Sequence, residues 1–230
     1  MPSPDRVAPA QVVGVLLAAG RSRRMGAPKL LLPWPPGGTT TVVAAAFDSI
    51  APFCDRVIVV AGDDPTALRR ALDRRPHAIV AGAPGQEMLA SARRGLAAAI
   101  AGDPPPQLVI LHPADQPSVA PATIGKLLAL ATERTARAQG ARGTPTSPGS
   151  PGSPGIATPL AVLPQRGARG GHPVVIDARA IPRILAWSGD DGLAGFWRAN
   201  AAEVVRAEVD DPGVLADLDT PDDYARASDR

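Results

Sequence analysis

The stretch Leu16–Pro33, LLAAGRSRRMGAPKLLLP, decides how the rest of the chain is read. A short apolar run ends at Leu17, and three small residues, Ala18, Ala19 and Gly20, follow it. Small residues after a strand let backbone N–H groups come close to a ligand, and successive N–H groups form a concave anion site. Arg21, Arg23, Arg24 and Lys29 set cationic donors around the same point, and Gly26 permits a second tight bend before the lysine. This is the composition of a triphosphate cradle, although a Gly/Arg/Lys loop taken alone reads equally as a surface loop with solvated charges. Two better-known phosphate loops are excluded. Gly20 and Gly26 are one residue too far apart for a Walker A loop, and Leu30 stands where that loop has Ser or Thr after its lysine. The dinucleotide fingerprint G-x-G-x-x-G is absent.

Outward from this loop, short apolar runs recur at Val12–Leu17, Val57–Ala61, Ala78–Ala81, Leu108–Leu111, Leu160–Leu163 and Val174–Ile176. Each is continuous and bounded by Gly, Pro or Asp, the pattern of strands covered on both faces of a parallel sheet. Helical spacing lies between them. Ile124, Leu127, Leu128 and Ala131 make one apolar stripe on a helix entered through Pro121. Met88, Ala92, Gly95 and Leu96 line a second, with Arg93 and Arg94 turned towards solvent. Alternating strands and helices predict one α/β domain over residues 1–230, with a mostly parallel, Rossmann-like sheet and its ligand site at the carboxyl ends of the strands. The segment 139–157, QGARGTPTSPGSPGSPGIA, has almost nothing to bury and reads as a flexible loop within that domain.

Composition excludes several classes. Lys plus Arg number 24 against 22 Asp plus Glu, a net charge of +2, too small a field to suggest a nucleic-acid partner. Aromatic residues are scarce, which removes the stacking platforms of a single-strand binder. No apolar stretch approaches the ~20 residues that span a bilayer, and the start MPSPDRVAPAQ lacks the pattern of a signal peptide. The single cysteine, Cys54, forms no internal disulfide and suits a reducing cytoplasm, where it reads as a small buried residue near a helix end.

Further along stand HPADQP (His112–Pro117), GGHPVVI (Gly170–Ile176) and DPGVLADLDTPDDY (Asp211–Tyr224). Asp115 follows the run Leu108–Leu111, where a carboxylate sits at the edge of a sheet; before Gln116–Pro117 it reads equally as a turn former. Asp219, before Thr220–Pro221, reads equally as the lead into a helix. His172 reads equally as a turn histidine. Taken in order, these pieces and LAAGRSRRMGAPKLLLP resemble the molybdenum cofactor nucleotidyltransferases, in the branch that holds the molybdopterin cytidylyltransferases. The resemblance covers essentially the whole chain outside the Pro/Gly/Ser segment.

The resemblance implies a nucleotide-diphospho-sugar transferase-like fold and transfer of CMP from CTP, or of another nucleotide, to a molybdopterin-type acceptor with release of pyrophosphate. It implies Arg24, Lys29 and Asp115 as catalytic residues. Nucleotide binding falls to Leu17, Ala18, Ala19, Gly20, Arg21, Ser22, Arg24, Lys29 and Ser91, and acceptor binding to His172. Asp115 and Asp219 would hold Mg²⁺, and a client molybdenum enzyme would receive the product. Ala19 stands where guanylyl-transferring relatives tend to have a second glycine, which points to CTP. Two positions depart from the family pattern: Glu87 replaces a glycine, and Ala194 stands where arginine is frequent. They keep two alternatives open, a sugar or polyol phosphate nucleotidyltransferase and a catalytically weak, cofactor-binding accessory protein for a molybdenum enzyme.

Overall fold

The apolar runs assemble into one sheet in a computed structural model that describes residues 11–20, 25–62, 64–83, 88–140 and 159–227, with the backbone alone for 138–140. In chain order the strands and helices are β1 (Val12–Ala18), β2 (Pro33–Trp34), β3 (Thr40–Thr41), α1 (Val42–Ile50), β4 (Arg56–Ala61), α2 (Thr66–Ala71), β5 (Ala78–Ala81), α3 (Met88–Ile100), β6 (Leu108–Pro113) and α4 (Pro121–Gly140). They continue with β7 (Ala161–Arg166), β8 (Arg169–Gly170), β9 (Val174–Asp177), α5 (Ile181–Ala186), α6 (Gly192–Ala199), β10 (Val204–Glu208) and α7 (Pro221–Arg226). The main sheet runs β10-β7-β9-β6-β1-β4-β5, with β8 paired to β7; β2 and β3 form a separate ribbon.

Strand alternation splits the core into two layers. Val12, Leu16, Val57 and Val59 pack with Phe47, Ile50, Ile124 and Leu127 of α1 and α4 on one face. Val13, Val15, Ile58 and Val60 pack with Leu89, Leu96, Ile184 and Phe196 of α3, α5 and α6 on the other. Burial on both faces is what makes β1, β4 and β6 continuous apolar runs rather than alternating ones. Cys54 is half-buried just beyond α1, where its thiol donates to the Ile50 carbonyl at 3.2 Å. Burial, with Asp55 adding to it, pushes the thiol up to about 12, so it stays an un-ionised packing group.

Several expectations need correction. The sheet is mostly parallel, as expected, but Val174–Ile176, read with the parallel strands, forms β9, which runs antiparallel to both β6 and β7. β5 is an edge strand whose residues are half-buried or exposed, not covered on both faces. β10 was absent from the expected strands because Arg206 and Glu208 interrupt its apolar character. In α3 the inward stripe is Leu89, Ala92, Leu96 and Ala99; Met88 is 55% exposed. Arg93 is half-buried, with its Nε donating to the Ile184 carbonyl, because α5 packs over that side of α3. The α4 helix continues through Gly140 and takes in the start of the 139–157 segment, the remainder of which lies outside the described residues.

α3 lies directly on the sheet at Gly95, where an added Cβ would come within 2.5 Å of Val15 and 2.7 Å of Val60. Gly95→Val is therefore expected to destabilise the fold by about 2 kcal/mol, because overpacking costs ~1–3 kcal/mol and the helix-propensity gain over glycine is only a few tenths. Urea unfolding followed by circular dichroism checks this, and an unchanged midpoint would show that α3 can lift off the sheet freely.

Candidate functional site

Lys29 opens a short 3-10 turn, Lys29–Leu31, whose Leu30 is buried in the core and pins the turn to the sheet. Gly26, three residues earlier, where a tight bend was expected, has φ +64°, in the left-handed region. The turn leaves Lys29 only 8% exposed. Its ammonium donates to Asp115 Oδ2 at 2.6 Å and to Asp219 Oδ1 at 3.1 Å, across 86 and 190 positions of chain. Burial works to lower the Lys29 pKa, and the two carboxylates outweigh it and raise it, so the ammonium stays charged.

The two carboxylates come from different ends of the fold. Asp115 sits in the turn after β6, and the neighbouring Ala114 N–H bonds the Leu17 carbonyl at the end of β1. Asp219 precedes Thr220, which caps α7 in a reciprocal capping box with Asp223, followed by Pro221 at the first turn. The Leu218 N–H donates to the Asp115 carbonyl at 3.1 Å and ties the two segments. Two oxygen donors of this kind already share one cation, Lys29, and one or two carboxylates are what Mg²⁺ takes when water and substrate phosphates complete its shell. Among the described residues no group of three or more His, Cys, Asp or Glu is arranged to hold a metal.

Around this centre lies a second layer that sequence reasoning missed. Gln116 is 2% exposed and donates from Nε2 to Asp217 Oδ1 at 2.5 Å. Burial raises the Asp217 pKa, and the nearby Asp115 and Asp219 charges add to the rise. The signal was present in Asp217-Leu218-Asp219, where the alternation of an extended segment points both carboxylates the same way. His112, on β6, is fully buried; its Nε2 contacts the Gln116 carbonyl at 3.1 Å and its Nδ1 has no partner. Burial lowers its pKa to about 3, with His172 adding to the effect.

The other predicted positions fall as follows. Leu17 and Ala18 close β1 beside the site, Ala19 is half-buried and Gly20 exposed. Ala19 faces Gly82 across the strand ends, where an added Cβ would overlap its methyl at 2.6 Å. Ser91 is buried in α3 and its hydroxyl accepts the Ala83 N–H at 3.1 Å, shaping the turn after β5. Arg21, Ser22, Arg24 and Glu87 lie outside the described residues. His172 is half-buried; burial lowers its pKa to about 4, partly offset by Asp115. It also lines a cleft of about 780 Å³ with Gly170, Gly171, Ala194, Trp197, Arg198 and Arg206. No helix among the described residues is long and apolar enough to cross a membrane.

A family model described as the MobA-like NTP transferase domain matches residues 14–205. The chain is 29% identical to nicotine blue oxidoreductase of Paenarthrobacter nicotinovorans, covering 94% of this chain and 95% of that one. It is 22% identical to the molybdenum cofactor cytidylyltransferase of Escherichia coli K12 over 94% of this chain and 95% of the relative. A 53-residue stretch, 23% of this chain and 24% of the relative, is 51% identical to a probable molybdenum cofactor guanylyltransferase of Rhodopirellula baltica. Among solved structures, Rv0371c of Mycobacterium tuberculosis H37Rv superposes with a TM-score of 0.71 at 28% identity, covering 96% of this chain and 98% of that one. Its complex with manganese superposes at 0.67 with 26% identity, covering 95% and 98%.

The two neutral histidines make stability depend on pH. In the unfolded chain both rings take up protons near 6.5, whereas in the fold they resist to about 3 for His112 and about 4 for His172. The unfolded state therefore binds more protons in this window, and stability is lost as pH falls from 6.5 towards 4. Each proton steepens the slope by up to ~1.4 kcal/mol per pH unit. His112→Leu is expected to flatten the dependence by about one proton, read from urea midpoints at several pH values. Parallel profiles for variant and wild type would show that His112 is not held neutral.

Proposed function

The chain belongs to the MobA-like NTP transferase family, and we propose that it transfers CMP from CTP to a molybdopterin-type acceptor with release of pyrophosphate. The observation that carries this reading is the convergence of Lys29, Asp115 and Asp219 at the carboxyl ends of β1 and β6. Three segments far apart in sequence deliver one ammonium and two carboxylates to a single point, beside the loop whose composition suits a triphosphate. The names of the relatives, a molybdenum cofactor cytidylyltransferase and a guanylyltransferase, support the acceptor class.

Nucleotidyl transfer asks little of side-chain acids and bases. An acceptor phosphate oxygen is already anionic near neutral pH; it bonds to the α-phosphorus as the bond to the pyrophosphate oxygen breaks. The protein's work is alignment and charge stabilisation. Asp115 and Asp219 would hold a divalent cation, Mg²⁺ in this reading, which neutralises triphosphate charge when bound; the manganese complex of the Rv0371c relative supports a site of this kind. Lys29 places a fixed positive charge at the same point, and Arg24, by the family resemblance, would add a second. His172, kept neutral by burial, offers a hydrogen bond to the acceptor without adding charge. Ser91 shapes the nucleotide side through the Ala83 turn. Ala19, standing where guanylyl-transferring relatives tend to have a second glycine, supports CTP, and its methyl lies against Gly82.

A second reading has its own support in the relative named nicotine blue oxidoreductase, which is similar over nearly the whole chain. On that reading the chain is a catalytically weak, cofactor-binding accessory protein for a molybdenum enzyme, and it transfers no nucleotide. Pyrophosphate release separates the two.

With molybdopterin supplied, Mg²⁺-dependent pyrophosphate release is expected with CTP ahead of GTP, ATP and UTP; equal or better turnover with GTP would refute the CTP assignment. Lys29→Ala and Asp115→Ala should each cut turnover by ~10²-fold or more, the scale of losing one preorganised charge-stabilising group. A variant that keeps near wild-type turnover takes its residue out of the site.

A further inference from the structure

A buried amide sits beside the carboxylates. Gln116 follows Asp115 directly, and only 2% of it is exposed. Its main chain is fixed on both sides: the N–H donates to the Pro113 carbonyl at 3.4 Å, and the carbonyl meets His112 Nε2 at 3.1 Å. The side chain then reaches across 101 positions of chain, donating from Nε2 to Asp217 Oδ1 at 2.5 Å. An ionised carboxylate accepts and cannot donate, so the amide must turn its nitrogen towards Asp217. That orientation leaves Oε1 buried with no partner among the described residues, a cost that the bond to a charged group has to outweigh.

Asp217 stands at the exposed rim of the site, two residues before Asp219, so its carboxylate can turn without repacking the core. Leu218 between the two is buried, and the alternation of the extended segment sends both carboxylates to the same side. Asp217 is near enough to Asp115, Asp219 and Lys29 for each of their charges to act on it. Yet Lys29 donates to Asp115 and Asp219, while the Asp217 carboxylate is met by Gln116. Nor do the three carboxylates form a metal-binding group, since among the described residues no cluster of three or more His, Cys, Asp or Glu is so placed. A third acid within reach of the pair is turned to a neutral donor instead.

We propose that Gln116 is a positioning residue that holds Asp217 aside, so that a divalent cation at Asp115 and Asp219 meets two carboxylates and keeps positions open for substrate phosphates. The assignment rests on the reading that Asp115 and Asp219 take such a cation. A third carboxylate would bind the cation more tightly, fill a position that a phosphate oxygen needs and add negative charge where the triphosphate arrives. The neutral amide restrains the acid without bringing a charge of its own, as a lysine or arginine in its place would.

The test titrates Mn²⁺ onto the whole chain, with and without CTP, and reads the bound ion by electron paramagnetic resonance. Gln116→Met keeps the length of the side chain and removes its donor; Gln116→Asn keeps an amide too short to reach. Either change is expected to tighten Mn²⁺ binding to the protein without nucleotide by ~10-fold, the scale of a hydrogen bond to a charged group. Adding Asp217→Asn should abolish that gain. Turnover should fall where metal affinity rises, whereas a merely loosened site would lose both. In the wild-type background Asp217→Asn should weaken Mn²⁺ binding by less than ~5-fold, the scale of one nearby charge across water, and Asp219→Asn, which removes a ligand, by much more. No gain in Gln116 variants that circular dichroism shows folded, a gain that survives Asp217→Asn, or a loss in Asp217→Asn as large as in Asp219→Asn overturns the proposal. A wild type that binds no Mn²⁺, with CTP or without, sinks the reading of the site as a metal centre. Mn²⁺ capture gained in Gln116→Met and lost again with Asp217→Asn would even then show Gln116 holding the acid aside.

Discussion

The Lys29 ammonium, held between Asp115 and Asp219, is the interaction on which the rest of the structure depends. A lysine at 8% exposure loses most of its hydration, and that loss is tolerable only because two carboxylates meet it within hydrogen-bond distance. Removing either partner leaves charge buried without full compensation, which costs more than the pair itself contributes. The arrangement therefore locks three remote segments into one register: the loop after β1, the turn after β6 and the lead into α7. The Leu218 N–H on the Asp115 carbonyl and the capping box at Thr220 fix the last of these, so Asp219 is aimed by backbone geometry rather than by its own rotamer alone.

The antiparallel strand β9 has a consequence for the same point. Because Leu111 of β6 pairs with Val174 of β9, the start of β9 lies beside the end of β6. His172 and the glycines before it are thereby delivered to the carboxyl edge of the sheet. A parallel strand in that slot would have begun at the opposite edge and carried the Gly-His-Pro segment away from Asp115. The Gly171 backbone is packed so tightly against Val214 that an added Cβ would come within 2.1 Å of its carbonyl oxygen, and the His172 N–H bonds that same carbonyl at 3.0 Å. The segment after β10 thus holds the Gly-His-Pro segment against the end of the sheet.

How much of this was legible in the sequence follows from what each residue answers to. The strands β1, β4 and β6 were readable because both faces are buried and no polar residue interrupts the run. The small residues after β1 and the bend at Gly26 were readable because loop chemistry is local; the pairing of Lys29 with Asp115, across 86 positions of chain, was not. The direction of β9 was not, since an apolar run of four residues has no polarity of its own and its neighbours decide it. β10 was hidden for a related reason: Arg206 and Glu208 face away from the α1/α4 layer, and a half-exposed strand near a sheet edge loses the apolar signature. Ala92, Gly95 and Leu96 of the expected stripe are buried, and only its first member differs: Leu89 packs inward in place of Met88, which opens the helix.

The charges around Lys29 set what the site can accept. Asp115 and Asp219 both meet the Lys29 ammonium, and burial raises the pKa of the neighbouring Asp217, with the Asp115 and Asp219 charges adding to the rise. A triphosphate brought to this point adds still more negative charge, and at reduced dielectric such repulsion is far stronger than in water. Protonating Asp217 relieves only one carboxylate, and Lys29 is already shared by the other two. A divalent cation between the carboxylates and the phosphates changes the sign of the balance, since each of its charges answers a different group. On the proposed function, a cation that enters with the nucleotide would reconcile the acidic cluster with the anionic substrate, and the affinity of this site for metal would then be a property of the complex more than of the protein alone.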